Sequence, residues 1–66
     1  MFELGQLVKY RVWDWPNQPW SNDIFEIIER DQVHHQYDDY SCEYSIKNLR
    51  TGEILNQVVD VQLQLN

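Results

Sequence analysis

The sequence predicts an all-β fold: a single small barrel of five short strands, with a long Trp/Pro-rich loop after the first. Three observations carry this. Apolar and polar residues alternate with period two over most of the chain. Gly52 marks a tight hairpin between two such runs. A length of 66 residues suffices for one hydrophobic core and no second, so residues 1–66 form one domain.

Taken in order, Leu7-Val8-Lys9-Tyr10-Arg11-Val12-Trp13 sets Val8, Tyr10 and Val12 on one face and Lys9 and Arg11 on the other, a half-buried first strand. Asp14 to Asn22 holds Pro16, Pro19, Asn17, Asn22, Trp15 and Trp20. Proline fixes φ and lacks an amide donor, so neither a helix nor a continuous ladder passes through, and the segment is a long ordered loop. From Asp23 to Val33, the residues Ile24, Phe25, Ile27, Ile28 and Val33 favour a strand covered on both faces near its middle. A helical turn over Glu26 to Arg30 is the alternative, but no N-cap with a 3.6-residue stripe extends it. The polar run His34 to Asp39 reverses the chain. Cys42, Tyr44 and Ile46 then alternate with Glu43, Ser45 and Lys47, a third strand with a clear inner face. In Asn48-Leu49-Arg50-Thr51-Gly52-Glu53, the glycine stands where a short hairpin needs a positive φ, and Ile54-Leu55 open the fourth strand. Val59 to Leu65 is nearly strict period two and predicts a final strand with Val59, Val61, Leu63 and Leu65 on one face.

The net charge is -6, and the acids are spread through both halves of the chain, as on a uniformly acidic folded surface. Such a surface repels the nucleic-acid backbone, so direct DNA or RNA binding is not expected, and a partner with a basic surface is. The single cysteine, Cys42, forms no internal disulfide and suits a reducing, cytoplasmic compartment. Phe2 and Glu3 follow Met1 with no basic or apolar leader, and the longest apolar runs are pairs, so neither a secretory signal nor a membrane span is expected. The chain reads as a complete cytosolic product beginning at its own start codon. A domain of this size hides only about 60% of the surface its unfolded chain exposes, which leaves no deep, water-excluded chamber and points away from enzymes.

Three segments carry a resemblance: Leu4-Gly5-Gln6-Leu7-Val8-Lys9-Tyr10, the hairpin Ile46 to Ile54, and Val59-Asp60-Val61-Gln62-Leu63. They are similar to the opening strand, the distal hairpin and the short turn into the last strand of the SH3-like small barrels, including the Tudor and KOW-type modules. The resemblance spans almost the whole chain and implies a fold, not an activity. The basic surface usual in KOW modules is absent. So are the acidic-aromatic opening motif and the paired Trp of the peptide-binding members. Size, initiating methionine and acidity also resemble small phage-encoded proteins that bind host factors.

The resemblance places the first long loop beside the binding face, and there the aromatic residues gather. Trp13 is expected in the core. Trp15, Trp20, Tyr37 and Tyr40, rimmed by Asp14, Asp38 and Asp39, are the candidate partner-binding residues, with Asp23 and Glu43 completing the acidic surround. Trp and Tyr anchor interfaces because they bury large areas at low entropic cost. The same four rings also suit a cage for methylated lysine, although exposed aromatics more often serve ordinary apolar contacts. His34, His35, Asp38, Asp39 and Cys42 read as a polar turn rather than a metal site, because adjacent histidines on a strand face opposite ways. No catalytic residue and no cofactor is expected; Gly5 and Gly52 are the only glycines, too few for a phosphate loop. The expected function is a protein-interaction module that occludes or recruits its partner. Two alternatives remain: an acidic inhibitor that mimics nucleic acid, and a structural subunit that self-associates to a homo-oligomer or builds a viral or cellular assembly.

Overall fold

The structure, a computed structural model, describes residues 2–12, 19–34 and 40–66, with the backbone alone at 33, 34, 40 and 41. Five strands form one antiparallel sheet: β1 (Leu7–Tyr10), β2 (Phe25–His34), β3 (Tyr40–Asn48), β4 (Ile54–Val59) and β5 (Leu63–Leu65), in the order β4-β3-β2-β1-β5. A 3-10 turn, Asp60–Gln62, joins β4 to β5. Among the described residues there is no α-helix, and no helix long and apolar enough to cross a membrane.

The all-β expectation and the strand count hold, and the ends of the elements differ. β1 stops at Tyr10, and Val12, expected on the inner face, is 62% exposed. The Arg11 N–H still donates to the Gln62 carbonyl in register with β5, and regular pairing ends there because Gln62 belongs to the 3-10 turn and its side chain takes the Arg11 and Val12 carbonyls. The expected single strand from Val59 to Leu65 is broken by the 3-10 turn, which leaves Val61 exposed and only Leu63 buried. Gln62 fixes this break: its side-chain oxygen accepts the Val59 N–H (3.1 Å), while its Nε2 donates to the carbonyls of Arg11 and Val12.

Two bulges shape the centre. In β2, Ile27 faces Ile46 but Glu29 faces Ser45, so Ile28 is an inserted residue and the strand's faces exchange beyond it. Phe25 and Ile27 point to the core before the bulge; Arg30 shares a face with Tyr44 after it. In β4, Val58 faces Tyr44 while Leu55 faces Ile46, and the extra residue is accommodated by Gln57 in the left-handed region at φ 59°. The bulges therefore lie on either side of Ser45.

Every strand supplies the core, which consists of Val8, Phe25, Ile27, Tyr44, Ile46, Val58 and Leu63, with Phe2, Tyr10, Cys42 and Leu55 packed against it. Cys42, Tyr44 and Ile46 lie on the inner face of β3 as the alternation requires. The Leu4-Gly5 turn, with Gly5 at φ 85°, swings the N-terminal residues across this face. There Phe2 meets the Tyr44 ring edge-on at 5.7 Å, and its N–H donates to the Tyr44 hydroxyl (3.0 Å). The ladders leave β4 and β5 as the two ends of an open sheet, so the expected closed barrel is not formed by strand pairing among the described residues.

The hairpin between β3 and β4 is turned as expected, with Gly52 at φ 82°. The Asn48 side-chain oxygen caps the N–H groups of Arg50 (2.8 Å) and Thr51 (3.1 Å), and its Nδ2 donates to Asp23 (3.0 Å). Arg50 grips the same carboxylate through Nε (2.7 Å) and Nη2 (2.9 Å). The Arg50 and Asn48 hydrogen bonds hold the Asp23 carboxyl down at about 2. The turn is thus tied to the entry of β2.

Candidate functional site

Two regions carry functional side chains. The first is an aromatic corner at the base of the long loop. Ser21 closes that base: its N–H donates to the Tyr10 carbonyl (2.7 Å), its hydroxyl accepts the Tyr10 N–H (3.1 Å), and the same hydroxyl donates to the Asp23 carbonyl (2.8 Å). This returns Trp20 beside the end of β1, where the Arg11 guanidinium lies over the indole at 4.4 Å from the ring centroid. Arg11 Nε also donates to the Val61 carbonyl (2.9 Å), so one side chain links loop, strand end and 3-10 turn. Trp20 is half-buried there, with Pro19 exposed next to it. Arg11 reads in sequence as the solvent side of a strand; its clamping role follows from β1 ending one residue earlier.

Of the other candidate residues, Asp14, Trp15, Tyr37, Asp38 and Asp39 lie outside the described residues, as do Trp13 and His35. Tyr40 begins β3 opposite His34. The two acids expected to complete the surround are separated from the corner's role: Asp23 is bound to Arg50, and Glu43 sits on the far face of the sheet.

That far face is the second region. A shallow open depression of about 230 Å³ is lined by Glu29, Asp31, Glu43, Ser45, Asn56 and Gln57. Ser45, only 8% exposed, donates its hydroxyl to the Asn56 side-chain oxygen (2.8 Å) and lies 3.4 Å from the Glu29 carboxylate. Asp31 and Glu43 stand directly opposite each other across the β2–β3 ladder. Like charges so placed repel, since opposed Cβ atoms lie about 4.5–5.5 Å apart. The arginines do not relieve them: Arg11 is stacked on Trp20, Arg30 binds Glu3 (2.9 Å) on the other face, and Arg50 holds Asp23, while Lys47 shares the face but stands opposite Glu26, two ladder positions beyond Ser45. Glu29 and Asp31 escape sequence reasoning because the Ile28 bulge decides which way they face. Two adjacent isoleucines are the only trace of it.

On the inner side, burial pushes the Tyr44 phenol up to about 12; the Phe2 N–H opposes this and the Asp60 carboxylate adds to it, so the hydroxyl stays protonated. No protein-family model, no curated protein and no solved structure matches this chain.

Proposed function

We propose that the chain is an SH3-like small barrel acting as a non-enzymatic interaction module in the cytoplasm, docking a protein partner with a basic surface through its aromatic corner and occluding or recruiting it. Burial supports the architecture. Val8, Ile27 and Ile46 are wholly excluded from solvent, yet no helix lies on their face among the described residues. In a flat sheet β4 and β5 would stand roughly 19 Å apart at about 4.8 Å per strand. A cluster that includes Val58 and Leu63 is better served by a sheet curled over its own inner face. The 3-10 turn Asp60–Gln62 stands where the resemblance implies a short turn into the last strand.

The observation that carries the function is Trp20. It is a large indole already ordered by Arg11 and by the Ser21 hydrogen bonds, placed where the loop, the end of β1 and the 3-10 turn meet. A preordered ring loses little entropy when a partner arrives, which is what makes Trp an effective interface anchor. In sequence, Asp14 and Trp15 lie between Val12 and Pro19.

The test is capture from the native cell on the immobilised chain, followed by affinity measurement with the purified partner. Trp20→Ala, checked for folding by circular dichroism, is expected to weaken binding at least about tenfold. Binding that ignores Trp20 and Trp15 but collapses steeply with salt replaces this reading with the charge mimic.

A further inference from the structure

β2 has a second exposed feature, its own edge. β1 covers β2 only at Phe25 and Glu26, and the Gly5 and Gln6 backbone adds bonds only as far as Ile27. Beyond that, the N-terminal residues leave the edge to lie on Tyr44. Among the described residues, no main-chain bond reaches β2 from Glu29 to His34 except from β3, and Glu29, Arg30, Asp31 and Gln32 are all exposed.

Register tells which groups are open. Ile27 directs its N–H and C=O away from β3, to Gln6 and Gly5, and the Asn48 N–H points to Glu53 on the β4 side. Alternation along the unbulged β3 then aims Glu43 and Ser41 at β2, so Asp31 and Val33 are the residues bonded to β3. Arg30, Gln32 and His34 present their N–H and C=O groups outward.

We propose that this edge, Glu29 to His34, takes up an extended basic segment of a partner protein as an added strand, with Lys or Arg at alternate positions. Strand addition supplies main-chain hydrogen bonds, and alternate side chains supply the selectivity. The occupant follows from charge. On an added strand, every second side chain falls on the face of Glu29, Asp31 and Glu43, beside the depression they line. Cations there relieve the repulsion between Asp31 and Glu43 that the chain's own arginines leave unrelieved. A second copy is the poorer fit, because it brings a further net charge of -6 to the same edge. This site stands apart from the aromatic corner, and neither requires the other.

The test uses the full chain, nitrogen-15 labelled, and two blocked heptapeptides of one composition: Thr-Lys-Thr-Lys-Thr-Lys-Thr, and a control with its three lysines adjacent at one end. The alternating peptide is expected to bind roughly fivefold more tightly than the control. At saturation it slows exchange of the Arg30, Gln32 and His34 amides about tenfold and leaves Asp31 and Val33 unchanged. The double variant Glu29→Gln, Asp31→Asn loses roughly fivefold in affinity, whereas Trp20→Ala binds the alternating peptide as the parent does. Equal affinity for the two peptides overturns the proposal, as does protection lying elsewhere or no binding at millimolar peptide. A concentration-dependent dimer protecting the same three amides makes the occupant a second copy and overturns it equally.

Discussion

The aromatic corner and the acidic face of β2 and β3 use charge in opposite ways. At the corner, the Arg11 cation lies on an indole and its Nε is bonded to a carbonyl, while Gln62 and Ser21 satisfy the neighbouring backbone. The acidic face holds Glu29, Asp31 and Glu43 together without an arginine. Lys47 shares that face but stands opposite Glu26, beyond Ser45 from the Asp31–Glu43 pair. Local conflict of this kind, in a domain otherwise consistent from strand to strand, is where a partner is to be sought.

Removing the clamp is the largest test of that contrast. Arg11→Ala deletes the cation–π contact and the hydrogen bond to Val61, and is expected to cost about 1–2.5 kcal/mol in urea unfolding, with altered Trp fluorescence. A change under about 0.5 kcal/mol means the corner is not what orders Trp20.

Asp23 extends the contrast to pH, being a carboxylate with a cationic partner, Arg50, where Asp31 has none among the described residues. Its folded value of about 2 lies below the ordinary 3.8. The Asp23 contribution is therefore fully present above about pH 4 and is lost as pH falls from there towards 2. Melting temperature across that window should fall more for the parent than for Asp23→Asn; parallel curves show that the Arg50 grip adds nothing to folding.

The smallest effect is of opposite sign. Asp31→Asn removes the repulsion with Glu43 and is expected to stabilise by about 0.2–0.5 kcal/mol at low salt, with the gain shrinking as ionic strength rises. Destabilisation instead would mean that the acidic face is not in conflict, and would remove one support from the proposed strand edge.

Much of the architecture was legible because it rests on strict alternation and on one backbone requirement. Cys42, Tyr44 and Ile46 could face only one way together, and Gly52 supplies the positive φ its turn demands. What escaped were the places where period two is interrupted without a compositional mark. Val59 to Leu65 alternates like a strand, yet Gln62 has a hydrogen bond to make at Val59 and folds three residues into a turn. The Ile28 insertion likewise exchanges the faces of β2, so the acidic face appears only once the register is known. The corner was legible in its aromatic content but not in its clamp, since an arginine one residue past a strand end looks like one within it.

The ladder between β1 and β5 pairs Val8 with Leu65 and Tyr10 with Leu63, residues from opposite ends of the chain, whereas β2, β3 and β4 pair with their neighbours in sequence. During synthesis the central meander has all its partners while Val8 still has one side unpaired. The core stays open along that seam until Leu63 and Leu65 emerge, so residues made long after Val8 and Tyr10 are the ones that seal it.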